Sequence, residues 1–173
     1  MRKILIVVDM QNDFINGSLG TVEAEAIIPN VVAKIATYSK EDIIATRDTH
    51  GDDYLQTQEG AYLPVEHCIK GSIGWEIQPE IAEALGDVTV VDKPTFGSNE
   101  LVAVIEKMHT EGELTVELVG LCTDICVVTN ALLLKTALPE TKVVVDSACC
   151  AGVTPESHNA ALTTMTMCQV TVE

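Results

Sequence analysis

Apolar residues gather in short β-branched or aliphatic runs at positions 4–8, 42–46, 88–92, 114–119, 142–146 and 169–172. None approaches the roughly 18 consecutive apolar residues of a membrane-spanning helix. Between most of them lie segments with helix-like patterning, at about 22–38, 77–85, 98–108, 124–137 and 155–167. A continuously apolar strand is one covered on both faces. Such strands alternating with helices predict an α/β fold, a three-layer α/β/α sandwich around a doubly wound, mostly parallel six-stranded sheet of Rossmann-like type. No repeat, low-complexity tract or flexible linker interrupts the alternation, so residues 1–173 read as a single domain. Residues 47–76 are the exception, with Gly51, Gly60, Gly71, Gly74 and no clear period. A loop that long inside a compact domain is usually functional.

Composition narrows the class. The chain is 47% hydrophobic but only 3% aromatic, which calls for an aliphatic core. Its formal net charge is −16, and no basic run offsets it, which argues against nucleic acid and anionic membranes as partners. The first apolar run stops at Asp9, short of the h-region of a signal peptide, and a cytoplasmic protein is expected. Six cysteines stand at 68, 122, 126, 149, 150 and 168. A large aliphatic core needs no staples, and adjacent Cys149 and Cys150 are poorly placed to bridge, so reduced thiols are expected.

Ligands of a parallel sheet bind beyond the carboxyl ends of its strands. The residues there are Asp9 to Phe14, Arg47-Asp48-Thr49-His50, Asp92-Lys93-Pro94 and Gly120 to Cys126. No Gly-x-Gly-x-x-Gly follows the first strand, so a dinucleotide fingerprint is missing. Cys126 falls in the first turn of a predicted helix, with Thr123 or Asp124 as its cap. Helix-terminal N–H groups would lower its pKa and could cradle an oxyanion. Asp9 could exchange a proton with that thiol, and Lys93 would favour both carboxylate and thiolate. Taken singly, these are a small buried hydrophobe, a turn former and a solvated lysine; their convergence on one rim carries the inference.

Asp48 and His50 alternate at a strand end, and Glu59 and His67 lie in the same long loop. Two imidazoles and two carboxylates suit a divalent ion such as zinc, iron or manganese. Asp52, Asp53 and Glu66 compete with Glu59 for a place in that set. His109 and His158 are expected at the surface, away from the rim.

The segments Val-Asp-Met-Gln-Asn-Asp-Phe (8–14), Thr-Arg-Asp-Thr-His (46–50), His-Cys-Ile-Lys-Gly-Ser-Ile-Gly-Trp-Glu (67–76), Asp-Lys-Pro-Thr-Phe-Gly-Ser (92–98) and Gly-Leu-Cys-Thr-Asp-Ile-Cys-Val (120–127) resemble the isochorismatase-like cysteine hydrolases. Their order and span are closest to the nicotinamidase branch. The resemblance implies a catalytic triad of Asp9, Lys93 and Cys126, a cis peptide before Cys122, and an oxyanion hole from the backbone N–H groups of Cys122 and Cys126. It also implies a metal on Asp48, His50 and His67, with Glu59 added in some members, zinc being the first candidate. That metal orients a small-molecule amide, nicotinamide, which is cleaved to nicotinate and ammonia. Many members are homo-oligomers.

One departure bears on the substrate: Thr49-His50-Gly51 stands where the branch commonly has Trp-His-Pro. Another small amide or a carbamoyl compound therefore stays open as substrate. So does a different class, a thiol redox sensor using Cys122 and Cys126, although Cys-x-x-x-Cys is not the usual redox spacing. Five of the six rings, Phe14, Tyr54, Tyr62, Trp75 and Phe96, fall in rim segments, and only Tyr38 lies on a plain helix. Phe14 and Trp75 are the first candidates to line a pocket for a flat heteroaromatic substrate.

Overall fold

The computed structural model describes residues 2–173. Six strands are present: β1 (Arg2–Val8), β2 (Ile43–Asp48), β3 (Thr89–Lys93), β4 (Leu114–Leu121), β5 (Lys142–Ala151) and β6 (Thr171–Val172). The helices are α1 (Asn12–Ile15), α2 (Val22–Ala26), α3 (Ile28–Ile35), α4 (Gln58–Tyr62), α5 (Pro79–Leu85), α6 (Asn99–His109), α7 (Val128–Ala137) and α8 (Pro155–Met167). The sheet order is β3-β2-β1-β4-β5-β6, and every pairing is parallel. The chain winds outward from β1 to β3, then restarts at β4 and winds the other way. The crevice between β1 and β4 is thus the switch point where such sheets hold ligands.

Side-chain alternation in the strands builds two cores. Ile4, Ile6 and Val8 face one side with Leu101 and Ile105 of α6, Ala131 and Leu134 of α7 and Met165 of α8. Leu5 and Val7 face the other with Val31 and Ile35 of α3 and Ile81 and Leu85 of α5. Burying β1 on both faces is what its unbroken apolar run demanded. Gly120, at φ 114°, pairs with Val8, and a Cβ there would stand 2.1 Å from the Val8 carbonyl oxygen. Only glycine lets β4 pass β1 this closely, which sets the chain after β4 beside Asp9.

Two helical expectations need correction. The single helix at 22–38 is broken into α2 and α3, because Pro29 cannot donate a backbone N–H and sits at the start of the second segment. The helix expected from 124 begins as a π-turn, Thr123–Val127, before α7. The long 47–76 segment carries one turn of 3-10 helix, Tyr54–Gln56, and the short α4. Among the described residues no helix is long and apolar enough to cross a membrane.

One ion cluster ties α3 to the sheet. Lys34 Nζ stands 2.6 Å from Glu117 Oε1 and 2.8 Å from Asp146 Oδ2, and Tyr38 also donates to Glu117. Although partial burial opposes ionisation, Lys34 holds Asp146 below the usual carboxylate range. A depressed carboxylate stabilises the fold above its unfolded-state pKa and loses that contribution as pH falls through its folded value. Lys34→Met should therefore cost about 1–3 kcal/mol at pH 7, by leaving two carboxylates facing each other. The gap to the parent should narrow below about pH 4. Urea midpoints of both proteins at pH 7 and about pH 2.5 check this; a pH-independent gap would contradict it.

Candidate active site

β1 ends at Val8 and the chain turns at Asp9, a non-glycine residue at φ 45°, with its carboxylate fully buried. Asp9 donates its N–H to the Thr46 carbonyl at 3.2 Å, and the Thr46 hydroxyl donates to Asp9 Oδ1 at 2.6 Å. Lys93, the last residue of β3, is also fully buried. Its Nζ stands 2.6 Å from Asp9 Oδ2, 3.3 Å from Cys126 Sγ, 3.2 Å from the Thr95 carbonyl and 3.5 Å from Asp48 Oδ1. The ends of β1 and β3 and the turn after β4 thus bring Asp9, Lys93 and Cys126 together. The Asp9 carboxyl is held at both oxygens, Oδ1 by the Thr46 hydroxyl and Oδ2 by the Lys93 ammonium.

Cys126 sits in the π-turn, behind a cis peptide between Leu121 and Cys122. Neither expected cap is used. The Cys122 carbonyl accepts from Ile125 and Val127, both at 3.1 Å, while Thr123 turns its hydroxyl to His158 and Asp124 accepts from the Val153 N–H. Nor is the thiol acidified. Burial and the Asp9 charge push Cys126 well above the ordinary thiol range, and Lys93 only partly offsets them. Burial likewise raises Asp9, against the pull of Lys93. Lys93 stays protonated: its carboxylate partners outweigh the cost of its burial. The Lys93 ammonium is thus enclosed between the Asp9 carboxyl and the Cys126 sulfur.

The second cluster adjoins the first. Asp48, His50, Glu59 and His67 place one donor atom each within 4.8 Å of the others. His50 Nε2 is 2.9 Å from Asp48 Oδ2 and 3.6 Å from Glu59 Oε1; His67 Nε2 is 3.6 Å and 3.7 Å from the same two oxygens. Donors about 2.0–2.2 Å from a zinc ion sit about 3.3–3.5 Å apart along a tetrahedral edge, so the set is sized for an ion. His67 donates Nδ1–H to the Val65 carbonyl at 2.8 Å, which turns the Nε2 lone pair into the cluster. Burial opposes ionisation of Asp48, yet His50, His67 and Lys93 hold it well below the carboxylate range. Glu59 is raised, by burial and by Asp48. Three carboxylates against one ammonium leave negative charge that a divalent cation would cancel.

Both clusters open into one cavity of about 670 Å³. Asp48, Glu59, His67 and Cys126 form its reactive part, and Phe14, Tyr62 and Phe96 are the rings that line it. Tyr54 stands behind the histidines, with ring centroids 4.8 Å from His50 and 4.9 Å from His67. Trp75 is a correction, since it is not a lining residue. Its indole N–H donates to Thr49 Oγ1 at 2.8 Å, and the Arg47 guanidinium covers its face at 3.7 Å. Also corrected is His158, which is half-buried and bonded to Thr123 beside the nucleophile turn, 2.8 Å away. His109 is half-buried too, with a buried Nδ1.

Sequence reasoning gave no role to two buried amides. Gln11 accepts from the Asp48 N–H at 2.7 Å and donates to the Asp48 and Trp75 carbonyls, both at 2.8 Å. Asn130 donates to the Cys126 carbonyl at 2.8 Å and accepts from the Ser98 N–H at 2.9 Å. Asn130 shows in the sequence as an uncharged amide among apolar positions, whereas Gln11 stands among other polar residues of the 9–14 rim segment with nothing to single it out.

Comparison with known proteins points the same way. A family profile described as the isochorismatase domain matches residues 3–173. The nicotinamidase/pyrazinamidase of Mycobacterium tuberculosis is 30% identical over 178 residues, covering 94% of each chain. The nicotinamidase of Saccharomyces cerevisiae is 29% identical over 75% of this chain and 80% of its own. Among solved structures, the pyrazinamidase of Pyrococcus horikoshii in complex with zinc superposes with a TM-score of 0.83 at 26% identity, covering 100% of this chain and 99% of that one.

Because Gln11 satisfies three buried backbone groups at once, Gln11→Leu should destabilise the protein by about 2–4 kcal/mol. Urea denaturation followed by circular dichroism measures this, and a change below about 0.5 kcal/mol would contradict the role given to Gln11.

Proposed function

The chain belongs to the isochorismatase family, and from that premise we propose that it is a nicotinamidase working through a thioester on Cys126. It is a hydrolase of amide carbon–nitrogen bonds. The observation that carries the finer reading is one cavity lined by a thiol, itself backed by a buried Asp–Lys pair, and by three of the four residues that could hold a metal ion.

In the proposed reaction Asp9 takes the Cys126 proton as sulfur attacks the carboxamide carbon. The negative charge on the carbonyl oxygen is met by the backbone N–H groups of Cys122 and Cys126. When the tetrahedral intermediate collapses, the carbon–nitrogen bond breaks and Asp9 returns the proton to the departing ammonia. Water then enters, Asp9 takes one of its protons, and its oxygen attacks the thioester. The carbon–sulfur bond breaks, sulfur leaves as thiolate, and the proton on Asp9 restores the thiol. Lys93 favours the ionised form of Asp9 and lies close enough to Sγ to stabilise the thiolate as it forms. Phe14 packs against the substrate ring. Asp48, His50, Glu59 and His67 would hold a divalent ion, with zinc the first candidate, which when bound would supply a fixed Lewis-acid contact for the ring nitrogen. The same reading takes residues 1–173 as one catalytic domain, cytoplasmic and homo-oligomeric.

The redox alternative gains no support from the thiols. Burial pushes Cys122 up to about 12, and a sensor thiol needs the opposite shift. It also leaves the Asp9–Lys93 pair without a task.

Cys126→Ala should lower ammonia release from nicotinamide at least about 10³-fold with unchanged circular dichroism. Full activity in that variant would contradict the proposal. Purified protein should hold one divalent ion per chain. Removing the ion with a chelator should raise KM and lower kcat, and zinc, iron or manganese should restore both; unaltered kinetics after stripping would remove the metal from the account.

A further inference from the structure

The cavity is larger than the reaction requires. Nicotinamide has nine non-hydrogen atoms, whereas pockets of about 300–1,000 Å³ enclose drug-sized molecules, and this one is about 670 Å³. Of its reactive groups Asp48, His67 and Cys126 are deep, each less than 5% exposed, and Glu59 is half-buried. Toward the mouth the lining is mostly apolar, through Leu63, Phe96, Ile125 and Val153, with the exposed Tyr62 and Gln58 among them. Phe96 is 46% exposed and Val153 52%, apolar surface that a ligand reaching past the ring would cover. No lysine or arginine is among the lining residues, and Asp48 and Glu59 are both acidic. An anionic substituent would find no countercharge there.

Resting on the amidase reading, we propose that the preferred substrate is a neutral primary carboxamide with an apolar substituent on its ring, seated in the outer cavity against Phe96 and Val153. The recognition is hydrophobic at the mouth and polar only at the amide and the ring nitrogen. Burying the substituent equally in ground and transition states lowers KM and leaves kcat nearly unchanged. A second copy of this chain closing over the mouth would do the reverse and exclude the substituent.

The test compares kcat/KM for nicotinamide with that for 3-pyridinecarboxamides bearing methyl, ethyl or propyl at either ring carbon farthest from the carboxamide, and for carboxylate-ended chains of matching length. In the better alkyl series, kcat/KM should rise about three- to fourfold per buried methylene, through KM. The carboxylate-ended compounds should fall below nicotinamide. In Val153→Asp and in Phe96→Ala the ratio of propyl compound to nicotinamide should drop at least fivefold. If nicotinamide is cleaved and alkyl groups lower kcat/KM at both positions, this proposal fails and the amidase reading stands. If none of these amides is cleaved, both fail.

Discussion

Everything at the rim of the sheet is organised around one buried ammonium. Lys93 is fully enclosed, and removing such a charge from water costs several kcal/mol unless partners replace the lost hydration. Here they come from three directions: Asp9 from β1, Asp48 from β2, and the Cys126 sulfur from the turn after β4. The need to surround one cation aligns three strand ends and the nucleophile turn. Thr46 and Gln11 then hold Asp9 and Asp48 by hydrogen bonds, and Gly120 permits the close strand passage that brings the fourth segment in.

The same ammonium links the two clusters electrostatically. It pairs with Asp9 on one side and stands 3.5 Å from Asp48, a carboxylate of the acid–imidazole cluster, on the other. In the proposed reaction, passing a proton from Cys126 to Asp9 moves negative charge from oxygen to sulfur around a fixed cation. The net charge of the triad does not change, which is the least costly way to work in a dry site. The upward push of burial on the thiol is then no obstacle, because the base that activates it is already beside the cation that stabilises the product thiolate. The expectation of an acidified thiol at a helix start overlooked both the depth of burial and the nearby carboxylates.

Strands buried on both faces leave unbroken apolar runs, so the sheet and the rim positions of Asp9, Asp48, Lys93 and Cys126 were legible. So was the acid–imidazole grouping, because its members sit at one strand end and in one conspicuously aperiodic loop. What escaped notice depends on tertiary partners. Trp75 looked like a pocket ring until Thr49 and Arg47 claimed it. His158 looked superficial because nothing local shows that α8 returns it to Thr123. The π-turn at Cys126 has the same residues as an ordinary helix start, and Pro29 was read through although its missing N–H breaks the helix before it.

The central claim is that Cys126 carries the acyl group between two half-reactions. Acid-quenching the protein during turnover of nicotinamide and mapping its peptides by mass spectrometry tests this directly. The account predicts a nicotinoyl adduct on the peptide containing Cys126, removed by neutral hydroxylamine and lacking after reaction of Cys126→Ser. Ammonia release under the same conditions with no adduct on any cysteine, or with the adduct on Cys122, would contradict it.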